Sequence, residues 1–215
     1  MLEAERRAVA EHSSALADLT PGRTGNLSVR AGDSVAITPT GVAYDEIGPE
    51  DVPVVSLAGD HEFGSLEASS ETPMHCGIYE TFDAGAVVHT HSDYATTLAV
   101  LGDPLPPVHY MVAFAGETVP VADYATYGTR ELADNAVGAM ERADSGACLL
   151  ANHGLVATGT DAADAVETAR AVESVARVYC QARSIGDPVE LDSEEMATVA
   201  EKFGSYGQPS AVDGS

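Results

Sequence analysis

The stretch that decides the fold is Gly85-Ala86-Val87-Val88-His89-Thr90-His91. An apolar run of this length after a glycine predicts a buried strand. Side chains alternate between the two faces of a strand, so residues two apart point the same way at a spacing of about 7 Å. His89 and His91 can therefore bind one cation between them. We predict a buried strand whose end carries two metal ligands.

A third histidine follows a second apolar run. The run at 147–151 predicts another buried strand, and Asn152-His153-Gly154 comes directly after it. Three imidazoles around one open position are typical of a catalytic zinc site. A third stretch, Ser69-Ser70-Glu71, adds a carboxylate that can act as the base. The alternative interpretation, separate hydrogen-bonded histidines at strand ends, is disfavoured by the H-x-H spacing together with a further His-Gly.

The order of apolar runs and turns predicts a single α/β domain. Asn26–Arg30 and Ser34–Thr38 alternate at period two around Ala31-Gly32-Asp33, which is a hairpin signature. Strands joined by tight turns pair antiparallel, unlike those of a doubly wound sheet. Strands are predicted at 26–30, 34–38, 51–57, 85–91, 108–114, 118–122, 147–151 and 154–158. Helices are predicted at 2–19, from residue 73 onward, and at 93–101, 127–142, 161–184 and 192–204.

Charge is the second large signal in the sequence. Thirty-four acidic residues against ten basic ones give a net charge of −24, and the acids are dispersed rather than gathered in one tail. Such a surface is typical of proteins from salt-loving cells, where molar salt screens the self-repulsion. A cationic partner is the alternative explanation. Nucleic-acid binding is disfavoured, because no basic cluster is present to neutralise phosphates.

The sequence also predicts a cytoplasmic protein with no membrane partner. It has no apolar run long enough to span a bilayer and no basic-then-apolar leader. Its three cysteines, Cys76, Cys148 and Cys180, lie far apart in apolar or helical contexts, which indicates reduced thiols. The single lysine, Lys202, lies in an acidic helical stretch, whereas Schiff-base chemistry needs a desolvated lysine. Any carbonyl chemistry here should therefore depend on a metal.

Glycine-bearing turns indicate a phosphate site. Thr24-Gly25-Asn26 precedes a strand, Thr38-Pro39-Thr40-Gly41 follows one, and Ser69-Ser70 precedes a helix. Each turn offers backbone N–H groups and small hydroxyls that can hold a phosphate. Taken singly, each is typical of an ordinary turn, and no G-x-x-x-x-G-K loop is present. Because Glu71 directly follows Ser69-Ser70, phosphate and metal chemistry would lie side by side.

From residue 5 to about 207 the chain resembles the class II aldolase/adducin family. The matching segments are Thr24–Arg30, Ile37–Gly41, Ser69–Glu71, Ala86–His91, His109–Met111, Tyr124–Leu132, His153–Leu155, Glu201–Phe203 and Tyr206-Gly207. The resemblance implies one three-layer αβα domain over 1–207, with a central, largely antiparallel mixed sheet flanked by helices. Residues 208–215 are predicted to be a mobile tail.

The resemblance implies a zinc enzyme that cleaves a ketose 1-phosphate into dihydroxyacetone phosphate and a short aldehyde. L-Fuculose 1-phosphate or a related deoxy-ketose 1-phosphate is the implied substrate, and L-lactaldehyde is an example of the aldehyde. His89, His91 and His153 match the zinc ligands, with one ion per subunit, although manganese or cobalt could use the same ligands. Glu71 matches a fourth ligand that leaves the metal and acts as the base.

The remaining site residues are also assigned by resemblance. The phosphate cradle is matched by Gly25, Asn26, Thr40, Gly41, Ser69 and Ser70. Tyr110 matches a catalytic tyrosine that reaches a neighbouring subunit's site, and Tyr206 matches a C-terminal tyrosine that covers the site. Tyr127 stands where such aldolases often have phenylalanine against the aldehyde, so a more polar aldehyde is possible. The resemblance implies a fourfold-symmetric homotetramer with sites between subunits.

Four alternatives differ in the residues that they require. A sugar-phosphate 4-epimerase of this family has aspartate at the position of Glu71. Methylthioribulose-1-phosphate dehydratase shares the zinc ligands, and only the more distant segments argue against it. A non-catalytic adducin-like interaction module lacks the histidines, and an unrelated zinc hydrolase needs an H-E-x-x-H helix, which is absent. His12, His61, His75 and His109 are given no metal role, although His75 could orient Glu71.

Overall fold

The computed structural model describes residues 1–203, which form one eight-stranded sheet with helices on both faces. The strands are β1 Asn26–Ala31, β2 Ser34–Ile37, β3 Val54–Ser56, β4 His61–Phe63, β5 Ala86–Thr90, β6 Val121–Ala122, β7 Ala147–Leu150 and β8 Gly154–Gly159. Their order across the sheet is β4-β3-β2-β1-β5-β8-β7-β6. Every pairing is antiparallel except β6 with β7. The predicted mixed, largely antiparallel sheet is confirmed.

The helices cover the sheet from two sides and make it the middle of three layers. They are α1 Glu3–Ser13, α2 Thr72–Thr81, α3 Asp93–Leu101, α4 Arg130–Ala143, α5 Ala162–Arg183 and α6 Ser193–Phe203. Two apolar cores result, one under α1, α3 and α5 and the other under α2 and α4. The strand β5 is buried along its whole length because it contributes to both: Val88 faces the first core and Val87 the second.

Long-range capping helps to fix the layer over β5. The Glu173 carboxylate, from α5, accepts hydrogen bonds from the backbone N–H groups of Tyr94 and Ala95 at 2.8–3.2 Å. These N–H groups lie in the first turn of α3, where no intrahelical acceptor is available. A carboxylate there also faces the positive end of the helix dipole. The contact holds α3 and α5 together beside the strand that carries the histidine pair.

Three local predictions differ from the structure. The strand expected at 108–114 is a 3₁₀ turn over Tyr110–Phe114, because the His109 side chain accepts from the Met111 N–H and starts a helical turn. The helix expected at 2–19 ends at Ser13, whose hydroxyl donates to the Val9 carbonyl, and a 3₁₀ turn follows. The strand β4 was not predicted, because all its residues are exposed and show no alternating pattern.

Two expectations about the environment can be compared with the described residues. Cys76, Cys148 and Cys180 are free thiols, as predicted. Among residues 1–203, none of the helices combines the length and the apolar character that a bilayer crossing requires. The predicted tail at 208–215 lies outside the described residues, and so does Tyr206.

Candidate metal and phosphate site

Three histidine side chains converge at one end of the central strands. His89 and His91 come from the end of β5, and His153 comes from the turn between β7 and β8. The Nε2 atoms of His89 and His91 are 2.9 Å apart, and one ring nitrogen from each of the three residues lies within 4.8 Å of the others. Within residues 1–203 this is the only cluster of three or more potential metal ligands. The triad has the donor set of a zinc or similar divalent-metal site.

The turn that carries His153 is closed by backbone hydrogen bonds and by a close approach. Leu150 pairs with Gly154 across the β7–β8 hairpin, and the His153 N–H donates to the Leu150 carbonyl at 2.9 Å. A Cβ atom at Gly154 would overlap the carbonyl oxygen of Thr90 on β5. Glycine at this position therefore lets the hairpin approach β5 closely enough for His153 to meet His89.

Burial keeps the three imidazoles neutral and able to bind a cation. Burial lowers the pKa of His89 well below its ordinary value of 6.5, and the neighbouring His153 and His91 make smaller contributions in the same direction. Burial, with a smaller contribution from His91, lowers the pKa of His153 to about 4. Burial also lowers the pKa of His91. The His89 Nδ1 lies 2.9 Å from the Leu155 carbonyl, so Nδ1 carries the proton and Nε2 presents a lone pair. Neutral ligands favour metal binding near pH 7.

Glu71 is buried at the N-cap of α2, with only 4% of its surface exposed. Its Oε2 atom is buried and has no hydrogen-bond partner. Burial raises the pKa of the carboxyl from 4.5 to about 7, and a hydrogen bond from the Gly128 backbone partly opposes this shift. The cluster of mutually close metal-ligand atoms contains the three histidines and not Glu71, but Glu71 lines the same cavity as His91 and His153. A buried oxygen without a donor in such a cavity is the environment that a bound cation would complete. These residues therefore fit a divalent ion.

A cavity of about 370 Å³ opens over this site. Its lining includes Glu71, His91 and His153. It also includes all six residues that were predicted to cradle a phosphate, namely Gly25, Asn26, Thr40, Gly41, Ser69 and Ser70. A Cβ atom at Gly25 would come within 2.7 Å of the His89 carbonyl oxygen, so only glycine lets this turn lie against β5. The turns predicted to hold a phosphate and two of the candidate metal ligands, His91 and His153, thus line one cavity.

The cavity lining also includes residues that were not predicted as site residues, among them Arg23, Tyr124 and Asn152. The Arg23 guanidinium donates to the Gly41 carbonyl at 2.6 Å and so joins two of the anion-binding turns. Its signal in the sequence was a rare basic residue directly before Thr24-Gly25-Asn26. Asn152 has a positive φ of 56° in the turn that carries His153. Tyr124 and Tyr127 both line the cavity; the role of Tyr127 in an aldehyde pocket stays a prediction.

Among the predicted site residues that the structure describes, His89 and Tyr110 do not line the cavity, and His89 is fully buried. Tyr110 is 48% exposed, stacks on His109 and contacts Phe203, and it does not line the cavity of its own chain. Its role in a neighbouring subunit's site stays a prediction. His75 does not orient Glu71, since both its ring nitrogens are hydrogen-bonded to Asn26 and Ser28.

The fold and the site define a class: an α/β protein with a histidine triad, buried or half-buried, next to a cavity lined by glycine- and hydroxyl-bearing turns. Residues 5–180 match the model of the class II aldolase and adducin N-terminal domain. The chain belongs to this family.

Individual relatives agree with the family match. The chain is 43% identical over 213 residues to the 5-deoxy-D-ribulose 1-phosphate aldolase of Bacillus thuringiensis serovar kurstaki, covering 97% of this chain and 99% of that protein. It is 41% identical to the L-fuculose phosphate aldolase of Escherichia coli K12 over 88% of each protein. A solved structure of an L-fuculose 1-phosphate aldolase superimposes with a TM-score of 0.89 at 44% identity, covering 94% of this chain and 96% of that one.

Proposed function

We propose that this protein is a zinc-dependent aldolase that reversibly cleaves a deoxy-ketose 1-phosphate into dihydroxyacetone phosphate and a short aldehyde. The observation that carries the proposal is one cavity lined by Glu71, by His91 and His153 of the histidine triad, and by the turns predicted to hold a phosphate. His89, His91 and His153 would hold the ion, with Glu71 as a further ligand before substrate binds. Bound zinc would polarise the substrate ketone and stabilise the negative charge that develops as the carbon–carbon bond breaks.

Other residues bind the phosphate and transfer the protons. The turns around Asn26, Thr40 and Ser70 hold the phosphate through N–H and hydroxyl donors. In the cleavage direction Tyr110, supplied by a neighbouring subunit, takes the proton from the hydroxyl group that becomes the aldehyde. Glu71, displaced and protonated from solvent when the substrate binds, then delivers that proton to C3 of the ketose, where the C3–C4 bond has broken, and returns to the carboxylate form. Burial raises the pKa of Glu71 in the metal-free site to about 7, so a Glu71 carboxyl that has left the ion can hold this proton near neutral pH.

The names of the relatives narrow the substrate class. One relative is named for 5-deoxy-D-ribulose 1-phosphate and others for L-fuculose phosphate. Both ketoses end in a methyl group, so the aldehyde half is acetaldehyde in the first case and L-lactaldehyde in the second. We propose a substrate of this kind, with Tyr124 and Tyr127 facing the aldehyde half.

The other members of the family considered above differ in chemistry. The retained glutamate at position 71 favours the aldolase over a sugar-phosphate 4-epimerase, and the retained histidine triad opposes an adducin-like interaction module. We also propose a cytoplasmic homotetramer; Tyr110 supports the assembly, because it lies outside its own chain's cavity and is 48% exposed. A neighbouring copy could receive it.

A substrate screen tests the proposed function. Zinc-loaded protein is assayed with 5-deoxy-D-ribulose 1-phosphate, L-fuculose 1-phosphate and 5-methylthioribulose 1-phosphate, and dihydroxyacetone phosphate is read through a coupled NADH-dependent dehydrogenase. We expect release from at least one of the first two. Loss of water from 5-methylthioribulose 1-phosphate without cleavage would make the protein a dehydratase. Isomerisation without dihydroxyacetone phosphate would make it an epimerase.

A further inference from the structure

A buried hydrogen-bond network lies directly beneath the anion-binding side of the cavity. Asn26 and Ser28 are two residues apart on β1, so both side chains point to the face that α2 covers. His75, on α2, contacts both of them: its Nε2 lies 2.6 Å from Asn26 Oδ1, and its Nδ1 lies 2.6 Å from Ser28 Oγ. The Tyr79 hydroxyl, one turn further along α2, is 2.8 Å from Ser28 Oγ. All four side chains are buried.

The chemistry of these groups fixes the direction of each bond. His75 is fully buried with no carboxylate bonded to it, and burial lowers its pKa to about 3, so the ring is neutral with one proton. An amide oxygen can only accept, so His75 Nε2 carries the proton and donates to Asn26 Oδ1. His75 Nδ1 must then accept, and its donor is the Ser28 hydroxyl. The Tyr79 hydroxyl donates to the backbone carbonyl oxygen of Ser28, which is 3.0 Å away.

This arrangement determines which end of the Asn26 amide reaches the cavity. Oδ1 is held toward the core by His75, so the amide group left for the cavity that Asn26 lines is the Nδ2 donor. The opposite orientation would present a carbonyl oxygen to the cavity and repel an anion. A neutral amide has no strong preference of its own between these two orientations, so the hydrogen bond from His75 to Oδ1 determines which one is adopted.

We propose that His75 is a positioning residue that holds the Asn26 amide with its N–H₂ group toward the substrate phosphate. The inference rests on the proposed function insofar as the anion at this side of the cavity is the substrate's phosphate. His75 touches neither substrate nor metal. It acts through Asn26, while Ser28 and Tyr79 hold the ring in the tautomer that donates to Oδ1.

Two substitutions at His75 form a matched pair. Glutamine places an amide nitrogen near the position of Nε2, so His75→Gln keeps a donor to Asn26. Asparagine places its amide near Nδ1, so His75→Asn keeps a contact with Ser28 and loses the one with Asn26. Both variants lose the ring and one of its two hydrogen bonds. Thermal unfolding of the two variants therefore controls for a general loss of packing.

The readout is the dissociation constant of inorganic phosphate from the zinc-loaded protein, measured by calorimetry, together with KM and kcat for the cleaved ketose 1-phosphate. We expect His75→Asn to weaken phosphate binding and raise KM about tenfold, the effect of losing one hydrogen bond to a charged group. We expect kcat to change by less than about threefold and His75→Gln to stay within about threefold of the wild type in all three constants. Equal losses in both variants would refute the positioning role.

A double-mutant cycle with Asn26→Ala tests the route of the effect. If His75 acts through Asn26, His75→Asn should have no further effect on phosphate affinity in the Asn26→Ala background. The same tenfold loss there would overturn the inference. If Asn26→Ala alone leaves phosphate affinity unchanged, the phosphate assignment of the proposed function falls, and the inference with it. Ser28→Ala, which frees the ring to change tautomer, provides the same cycle if His75→Asn does not fold.

Discussion

Replacing Glu71 by glutamine should stabilise the metal-free protein at neutral and alkaline pH. The Glu71 carboxylate is buried with one oxygen unpartnered, and burial raises its pKa from 4.5 to about 7. A raised pKa means that the folded state binds the proton more tightly than the unfolded state. Its favourable contribution to stability is therefore complete below about pH 4.5 and is lost as the pH rises to 7 and above.

The magnitude follows from the shift. Each pKa unit corresponds to about 1.4 kcal/mol, so ionised Glu71 should destabilise the metal-free fold by about 3 kcal/mol at pH 8. At pH 5.5 the effect should fall to about 1 kcal/mol. Glutamine has the same size and no charge, so Glu71→Gln should recover most of this free energy.

Urea unfolding of chelator-treated protein, in molar salt at pH 8 and at pH 5.5, measures the effect. Glu167→Gln, at an exposed position on α5, controls for the loss of one negative charge from an acidic chain. Excess zinc should reverse the order at pH 8, because the wild type gains a carboxylate ligand that Glu71→Gln lacks. A metal-free Glu71→Gln variant no more stable than Glu167→Gln at pH 8 would refute the reasoning about the buried carboxylate.

Three further predictions concern the ligands, the hairpin and the salt dependence. His91→Ala should abolish stoichiometric zinc binding, measured by elemental analysis after dialysis, because two imidazoles and one carboxylate remain; a fully loaded variant would remove His91 from the ligand set. Gly154→Ala should weaken zinc binding at least tenfold, since its Cβ would push the hairpin away from the Thr90 carbonyl, whereas Gly186→Ala, where nothing lies within 4 Å of the added atom, should not. Four chains of charge −24 would carry about −96. At 0.01 M salt, where the Debye length is about 30 Å, light scattering should therefore show dissociation with activity lost in step, and an active monomer would mean that Tyr110 is not supplied by a neighbour.

The central part of the fold and the triad could be predicted because they depend on short-range patterns. The period of a strand places His89 and His91 on one side, and a glycine after His153 indicates a tight hairpin. Each of these features depends on residues that are only a few positions apart in the sequence. The same holds for the anion-binding turns, whose glycines and hydroxyls are adjacent in the sequence.

Other features depend on contacts between distant segments, on one local side-chain hydrogen bond or on a position at the sheet edge, and the residue pattern did not predict them. The partners of His75 on β1 are 47 and 49 residues away, and the Arg23 contact with Gly41 spans 18. The 3₁₀ turn at 110–114 depends on one side-chain bond from His109, which outweighs a β-like residue pattern. The strand β4 pairs only with β3 at the edge of the sheet, so no core face imposes an alternating pattern on it.

The most direct test of the account is the release of dihydroxyacetone phosphate from 5-deoxy-D-ribulose 1-phosphate and L-fuculose 1-phosphate with zinc present, removed and restored. The account predicts cleavage of at least one of them by the loaded enzyme, loss of cleavage in the chelated enzyme while the circular dichroism of the fold persists, and recovery when one equivalent of zinc per chain is added back. Full turnover in a chelated sample shown to contain no metal would contradict it.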